Sequence, residues 1–364
     1  GVRASYLKSA VRLCSDLMRA RVPTIVFGHS RNSVEIMLKY LRDGLAGEIP
    51  AEAIMAYRGG YLPDTRRKIE RGLREGEILG VVATNALELG IDIGDLDAVV
   101  CAGYPGSVAG TWQRFGRAGR RGKLSAAIMV ASSQALDQYL AQNPAHLLDG
   151  SIEEARIDPS NTEILVQHLK CAAFELPFLR GEAFGGLSAD ETAEALGFLE
   201  HHGVVHEQSG RFHWATDAYP ANHVSLRSVG WDNTVIIDEQ TGKTLAELDW
   251  HATPTMLHEQ AIYQHDGEQF QVERLDHENH KAYVRKVVPD YFTTAMTHRK
   301  VRVIELTTQG PLGKGVGALG EVSVVEKVVG FKKIKFFTHE NAGYGEVRLP
   351  DVQLHTTSFW WTVP

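Results

Sequence analysis

In the first 150 residues, short apolar runs alternate with stretches whose apolar positions repeat at helical spacing. Such spacing between Leu7 and Arg19 predicts an amphipathic helix, and the apolar run Thr24–Phe27 after Pro23 predicts a buried strand. The same patterns predict helices over Ser33–Leu41 and Thr65–Glu75, and strands over Ile78–Thr84, Ala98–Cys101 and Ala126–Val130. This alternation favours a parallel α/β sheet, in which functional loops lie beyond the carboxyl ends of the strands.

The pattern changes after about residue 150. Helical spacing over Thr162–Phe174 and Ala189–His201 is followed by two short strand-like segments, which predicts a winged-helix-like module. From about residue 216, runs of Val, Ile, Tyr and Phe separated by Gly and Asp predict an antiparallel β-rich domain or a pair of barrels. We therefore expect three domains, covering residues 1–150, 151–217 and 218–364.

Composition and charge exclude some classes of nucleic-acid binder and of cysteine site. The chain has 364 residues, with 38 Lys and Arg against 45 Asp and Glu, so its net charge of −7 argues against a purely electrostatic nucleic-acid binder. Residues 1–150 nevertheless hold 19 basic and 15 acidic residues, which makes this part mildly basic. The 3 cysteines lie far apart, which excludes a disulfide framework and a Cys-x-x-Cys zinc site. No metal site is predicted.

Targeting signals are absent from the sequence. It contains no apolar run long enough to span a membrane and no signal peptide, so we expect a cytoplasmic protein without membrane partners. The chain begins with Gly1 rather than Met, and we expect it to be a fragment of a longer protein.

The strongest chemical signal is the segment 113–122, Gln-Arg-Phe-Gly-Arg-Ala-Gly-Arg-Arg-Gly. Arg114, Arg117 and Arg120 are spaced by three residues and would share one face of a helix. Guanidinium groups suit phosphate oxygens, and the glycines allow a close backbone approach, so the segment favours stabilisation of a transferring phosphoryl group. The alternative is a solvated basic helix.

A second signal is the segment 82–94, Val-Ala-Thr-Asn-Ala-Leu-Glu-Leu-Gly-Ile-Asp-Ile-Gly, in which a strand runs into polar residues. The hydroxyl of Thr84 could hold a backbone phosphate, and Asp92 could meet a ribose hydroxyl or one of the arginines. In the alternative interpretation, Asp92 only turns the chain.

These two segments, in this order, resemble motifs V and VI of superfamily 2 helicases. Residues 27–31, Phe-Gly-His-Ser-Arg, resemble motif IV, and residues 57–63, Tyr-Arg-Gly-Gly-Tyr-Leu-Pro, resemble the motif that follows it. The sequences of residues 83–94 and of Ala102-Gly-Tyr-Pro-Gly106 are similar to those of the MrfA (YprA)-like branch. This branch is related to the Hrq-type RecQ-like helicases. The resemblance implies a RecA-like first domain and an ATP-dependent DNA helicase or translocase with 3′-to-5′ polarity that acts in DNA repair.

The resemblance also implies roles for individual residues. Gln113 would lie near the γ-phosphate and its attacking water, and Arg117 and Arg120 would be arginine fingers. Four residues would belong to the nucleotide-facing cleft, namely Gly90, Asp92, Gly116 and Gly119. Five would contact DNA, namely Ser30, Arg31, Arg58, Gly59 and Thr84. Arg58 departs from the family pattern, in which we expect His.

The sequence lacks a Walker A loop and an Asp-Glu box, which superfamily 2 enzymes carry on their first lobe. We therefore expect the chain to be a second motor lobe with accessory domains, inactive as an ATPase by itself. ATP and Mg²⁺ would be bound mainly by the missing lobe. Expected partners are single-stranded DNA or DNA with a 3′ tail, bound by a monomer. The alternatives are a binding module without catalysis and an RNA helicase, because motifs V and VI are shared across the superfamily.

Overall fold

A computed structural model of the chain describes residues 5–88, 93–94, 96–119, 124–154, 161–224 and 233–362. The chain forms two compact units. One unit contains Gly1–Glu153 together with Asn233–Pro364, and the other contains Glu154–Asp232. The β-rich part of the chain therefore packs with the N-terminal lobe, although the second unit separates them in sequence.

The N-terminal lobe is built on a parallel sheet. Its elements are α1 (Tyr6–Arg19), β1 (Thr24–Phe27), α2 (Arg31–Gly44), β2 (Ile54–Tyr57), α3 (Pro63–Arg74), β3 (Gly80–Ala83), β4 (Ala98–Ala102), α4 (Val108–Phe115), β5 (Ala126–Val130), α5 (Ala135–Gln142) and α6 (Ala145–Leu148). The strand order is β2-β3-β1-β4-β5, and every neighbouring pair is parallel. Strands β1, β3 and β4 are buried throughout and β2 at all positions but Met55, which suits their continuous apolar sequences.

The predicted α/β lobe is confirmed, but one strand was missed. The sequence analysis did not predict β2, Ile54–Tyr57, because four apolar residues after a short helical turn carry no periodicity. The strand is important for the site because it places Arg58 and Gly59 next to β3. The helix α2 begins at Arg31, and a capping box between Ser30 and Ser33 fixes its first turn.

The second unit has the predicted winged-helix-like arrangement. Its elements are α7 (Thr162–Glu175), β6 (Phe178–Leu179), α8 (Ala189–His201), β7 (Val205–Gln208) and β8 (Arg211–Trp214). The three strands form a small sheet in the order β6-β8-β7. Leu169, Leu196, Leu199 and Phe212 pack in its core, so the two helices are held against the hairpin.

The C-terminal part forms two largely antiparallel sheets, as predicted. Its elements are β9 (Asn233–Asp238), β10 (Thr244–Asp249), α9 (Thr253–Met256), β11 (Ile262–His265), β12 (Glu268–Asp276), β13 (Lys281–Val287), β14 (Tyr291–Leu312), β15 (Gly315–Lys335), β16 (Asn341–Glu346) and β17 (Val352–Thr362). The first sheet has the order β10-β9-β13-β12-β11, with one parallel pair, β9 and β13. In the second sheet, the long strand β15 pairs with β14, β16 and β17.

The helix α2 joins the lobe to the β-rich part along its whole length. At its start, Asn32 accepts a hydrogen bond of 2.6 Å from the side chain of Gln264. At its end, Arg42 donates to the backbone carbonyl of Asp266 at 2.7 Å and to its carboxylate at 3.0 Å. Between them, Tyr40 stacks on Phe337 with ring centroids 4.5 Å apart. The helix is therefore shared by the two parts.

A buried ion pair lies at the centre of this contact. Arg58 is 0% exposed and Glu35 is 1% exposed, and Nε of Arg58 donates to Oε1 of Glu35 at 2.7 Å. The same carboxylate accepts from the Tyr61 hydroxyl at 2.8 Å and from the backbone N–H of Gly267 at 3.0 Å. Arg58 also donates to the backbone carbonyl of Gln264 at 2.8 Å. Burial alone raises the pKa of Glu35, but the Arg58 cation and the Gly267 N–H lower it overall, so the carboxyl stays ionised.

The loop after β2 contributes a second contact. Gly60 has a φ of +97°, and a Cβ built on it would lie 2.6 Å from the backbone oxygen of Glu247 on β10. The N–H of Glu247 donates to the carbonyl of Gly60 at 3.1 Å, and Tyr61 forms an isolated antiparallel bridge with Ala246. Any side chain at position 60 would force these two backbones apart.

We expect Arg58→Met to lower the free energy of unfolding by about 3–5 kcal/mol, because it leaves the Glu35 carboxylate buried without its cation. Urea unfolding of the purified chain measures this change. The double variant Glu35→Leu/Arg58→Met should lose less than the sum of the two single variants, since neither charge is then left alone. A loss below about 1 kcal/mol for Arg58→Met, the value typical of a surface pair, would contradict the role given to this pair.

Candidate functional site

Three neighbouring strands bring most of the sequence-predicted DNA-contacting residues to one edge of the sheet. Ser30 and Arg31 follow β1, Gly59 follows β2 and Thr84 follows β3, and these strands lie side by side in the order β2-β3-β1. Adjacent strands are about 4.8 Å apart, so the three loops lie within roughly 10 Å of one another at the carboxyl edge. The four residues were separated by up to 54 positions in sequence, and the parallel sheet assembles them.

The Thr84 side chain begins a short helical turn, Asn85–Leu87. Its hydroxyl oxygen accepts from the N–H of Ala86 at 3.5 Å, and its own N–H donates to the carbonyl of Tyr57. The hydroxyl hydrogen can still be donated, because a hydroxyl carries one donor besides its acceptor positions. The residue is 9% exposed, so only a ligand lying directly against this edge would reach it.

Ser30 and Arg31 form the beginning of α2. The Ser30 hydroxyl accepts from the N–H of Ser33 at 3.1 Å, which fixes the first turn and leaves Ser30 exposed. The guanidinium of Arg31 lies over Gly59, because a Cβ built on Gly59 would be 3.6 Å from Nη2 of Arg31. Arg31 and Gly59 therefore lie in contact at this edge of the sheet.

Arg58 was expected to contact DNA, and the structure gives it another position. It is fully buried, and its guanidinium is bound by Glu35, by the hydroxyl of Tyr263 at 3.3 Å and by the carbonyl of Gln264. A buried cation with these partners has no surface to offer a phosphate. The predicted DNA contact of Arg58 is therefore wrong, because this basic side chain is buried rather than solvent-accessible.

The arginine-rich segment lies on α4 and the turn that follows it. Gln113 is exposed, whereas Arg114 is 7% and Arg117 is 5% exposed. Gly116 is the C-cap residue of α4. Gly119 has a φ of +84°, and a Cβ there would lie 2.5 Å from the Ser125 hydroxyl, so only glycine fits this turn.

Glu88 connects the two strongest motifs of the sequence. Its carboxylate accepts from Nε of Arg114 at 2.9 Å, and its backbone carbonyl accepts from Nε of Arg117 at 3.1 Å. The guanidinium of Arg114 also lies over the ring of Phe27, 5.1 Å from the centroid. Thr84 precedes Glu88 by one short helical turn, so Glu88 joins the edge at Thr84 to both arginines.

Three of the expected site residues fall outside the part of the chain that the structure describes. They are Gly90, Asp92 and Arg120. Their assigned roles remain predictions from the resemblance.

The sequence analysis assigned no role to Glu88 or Glu35. Both stand in apolar surroundings, Glu88 after Ala86 and Leu87, and Glu35 between Val34 and Ile36. A lone acidic residue among apolar neighbours requires a cationic partner when the segment is buried, and this signal was present in the sequence. The identity of the partners was not, because the groups that surround Glu35 come from two distant segments.

Neither a metal-ligand cluster nor a membrane-spanning helix occurs among the described residues. No group of three or more His, Cys, Asp or Glu side chains is arranged to hold a metal ion in that part of the chain. None of the helices there has both the length and the apolar character needed to cross a membrane.

Two protein-family models match the chain. The helicase conserved C-terminal domain matches residues 8–122, and the winged helix domain of the ATP-dependent helicase HRQ1 matches residues 157–229. The first match covers the parallel-sheet lobe through the arginine-rich segment. The second covers the small unit formed by α7, α8 and their hairpin.

Individual relatives and solved structures agree with these matches. The chain is 46% identical over 99% of its length to the ATP-dependent helicase YprA of Bacillus subtilis, and 31% identical over 100% of its length to the ATP-dependent helicase HRQ1 of Saccharomyces cerevisiae. It spans 48% and 34% of those two proteins, so it corresponds to about half or less of each. A crystal structure of the helicase MrfA bound to DNA superimposes on 99% of this chain and 48% of MrfA, with a TM-score of 0.80 and 45% identity. A second MrfA structure, bound to DNA and AMPPNP, gives a TM-score of 0.79 over 97% of this chain and 48% of MrfA, at 45% identity.

We expect Glu88→Gln to lower the free energy of unfolding by about 1.5–3 kcal/mol, because it removes a charged hydrogen-bond acceptor from a largely buried arginine. The matched control is Glu48→Gln, which breaks an exposed pair with Arg19 on the same lobe. That control should lose less than about 1 kcal/mol. Equal losses for the two variants in urea unfolding would show that Glu88 does not anchor the arginine segment.

Proposed function

This chain belongs to the superfamily 2 helicases, in the branch that contains MrfA and the Hrq-type proteins, and from that membership we propose that it supplies the second motor lobe of an ATP-dependent DNA helicase. The observation that carries the proposal is the shared edge of β1, β2 and β3, where Ser30, Arg31, Gly59 and Thr84 meet. Hydroxyl, guanidinium and backbone N–H groups donate hydrogen bonds to the phosphate and sugar oxygens of a nucleic-acid backbone. Relatives described as DNA-bound support DNA as the partner.

ATP would be bound in the cleft that this lobe faces, and its hydrolysis supplies the free energy for movement along the strand. The residues present fit half of such a site, because arginine and glutamine side chains suit phosphate oxygens and a water, but the sequence has no Walker A loop. We propose that the nucleotide and its Mg²⁺ are held mainly by residues outside this sequence. The chain by itself should then neither bind ATP tightly nor hydrolyse it.

Within this proposal, Arg117 and Arg120 are arginine fingers and Gln113 orients the attacking water. The turn around Gly116 and Gly119 gives these side chains a close approach, and Gly90 and Asp92 would complete the cleft. Nε of Arg117 donates to the carbonyl of Glu88 at 3.1 Å, which fixes the position of this arginine. Glu88 thus acts as a positioning residue, which holds one arginine by its carboxylate and the other by its backbone.

We propose 3′-to-5′ movement on single-stranded DNA or DNA with a 3′ tail, by a monomer that acts in DNA repair in the cytoplasm. The polarity and the process are carried over from the family resemblance. Duplexes with either a 3′ or a 5′ single-stranded tail test the polarity directly. Unwinding of the 5′-tailed duplex alone would refute it.

The first test of function is the DNA-stimulated ATPase rate of the full-length protein. Arg117→Ala should lower kcat by about 10³-fold or more, with little change in ATP affinity, because an arginine finger acts on the transition state. Arg12→Ala, which removes an exposed arginine on α1, is the matched control and should leave the rate unchanged.

Normal turnover of Arg117→Ala would overturn the arginine-finger assignment. A wild-type rate that DNA does not stimulate would favour the second candidate, a binding module without catalysis. Stimulation by RNA but not by DNA of the same sequence would instead indicate an RNA helicase.

A further inference from the structure

A cavity of about 510 Å³ lies between the start of α2 and the strand β14 of the β-rich part. We call it the α2–β14 cavity. Its lobe side is formed by Ser30, Arg31 and Asn32, and its other side includes Thr293, Thr294 and Thr297. It therefore begins at the edge where the DNA-facing residues meet and extends onto a part of the chain to which no nucleic-acid contact has been assigned.

Two polar side chains that line this cavity have unsatisfied atoms. Among the described residues, Nη1 of Arg31 and Oε1 of Gln264 are both buried without a hydrogen-bond partner. Gln264 is 3% exposed, and its other amide atom is bound to Asn32 at 2.6 Å. Buried polar atoms normally have a hydrogen-bond partner. Two unpaired atoms from different segments, Nη1 of Arg31 and Oε1 of Gln264, therefore indicate a ligand in this cavity.

The charge of the cavity favours an anion. Two carboxylates line it, but Glu35 is paired with Arg58 and Glu326 with Arg299. Burial and the neighbouring Arg58 cation lower the pKa of Arg31, and the opposing effects of Tyr263 and Asp249 do not outweigh them, so its cation is disfavoured where it stands. A phosphate would supply the missing negative charge and accept the free N–H of the guanidinium.

The other groups suit the rest of a nucleotide. Thr294 and Thr297 are exposed on β14, and their hydroxyls can donate to further phosphate or sugar oxygens. Met256 and Ile262 provide apolar surface in the same cavity, on which a sugar or a base can lie. The free carbonyl oxygen of Gln264 can accept from an N–H of a base, such as N3–H of thymine.

We propose that the α2–β14 cavity binds the backbone of single-stranded DNA as it leaves the edge formed by Ser30, Gly59 and Thr84, so that β14 is a second wall of the DNA path. This inference rests on the proposed function, because it requires a strand on the motor edge. It assigns Thr294, Thr297 and Gln264 as DNA-contacting residues of the β-rich part.

The test is the affinity of the full-length protein for a fluorescently labelled oligodeoxythymidine, measured by anisotropy over a series of salt concentrations. Thr294→Glu and Thr297→Glu should each weaken binding about tenfold, because they place a negative charge beside the phosphates. Thr294→Lys should strengthen binding. The matched controls are Thr308→Glu and Thr308→Lys, which alter an exposed position of the same strand outside the cavity and should stay within about twofold of the wild type.

The salt dependence identifies the phosphate contact. Arg31→Gln should reduce the slope of log K against log salt by about 0.7, the value for one phosphate contact on a single strand. Opposite effects of Glu and Lys at position 294 also separate a charge effect from misfolding, since damage to the fold would weaken binding in both variants.

The outcomes distinguish this inference from the proposed function. If the wild type does not bind the oligonucleotide, the proposed function and this inference are both overturned. If the wild type binds and Arg31→Gln weakens it, but the position 294 variants behave like those at position 308, the inference is overturned and the motor function stands.

Discussion

The buried pair of Glu35 and Arg58 is the interaction on which the rest of the larger unit depends. Desolvating two charges is expensive, and the cost is met here because the carboxylate and the guanidinium together have partners on both sides of the contact. Glu35 accepts from Tyr61 of the lobe and from Gly267 of the β-rich part, and Arg58 donates to the carbonyl of Gln264. Neither part alone could satisfy these groups, so the pair requires the two parts to stay together.

The location of this pair links it to the proposed site. Glu35 lies one turn of α2 after Arg31, and Arg58 directly precedes Gly59, over which the Arg31 guanidinium lies. The groups that fix the β-rich part are therefore next to the residues of the proposed DNA site. A hydrophobic cluster of Ile36, Tyr40, Phe292 and Phe336 continues the contact on the next turns of α2. The edge that carries Ser30 and Arg31 is thus supported by packing from a segment more than 200 residues away in sequence.

Periodicity predicted much of the lobe because local patterns determine its elements. The apolar run at Thr24–Phe27 and the helical spacing before it predict a buried strand beside an amphipathic helix, and the structure has both. The motif glycines and arginines also indicated a phosphate-related edge, since the parallel sheet places the loops after successive strands together. The strand Ile54–Tyr57 was missed because four residues carry too little pattern.

The contacts made by Arg58 could not be predicted in the same way. Whether an arginine in a loop faces solvent or a carboxylate depends on what packs against the loop, and here that is a segment 205 to 206 residues later in the chain. A single sequence does not show that Arg58 pairs with Tyr263 and Gln264. Burial of Arg58 also explains how the chain accommodates arginine at a position where the family resemblance predicts histidine, because the fold provides Glu35 as its counter-ion.

The helix α2 connects the edge at Ser30 and Arg31 to the β-rich part, because it makes contacts with both parts. α2 is held by the lobe through its buried face, and by the β-rich part through Asn32, Glu35, Tyr40 and Arg42. These contacts are distributed from the first turn of the helix to its last, so the helix cannot tilt relative to one part without breaking bonds to the other. The start of α2 at Ser30 is therefore tied to the β-rich sheets through this helix. On the opposite side of Thr84, Glu88 links the same edge to Arg114 and Arg117. The edge is therefore connected by hydrogen bonds in two directions, to Arg114 and Arg117 through Glu88 and to the β-rich part through α2.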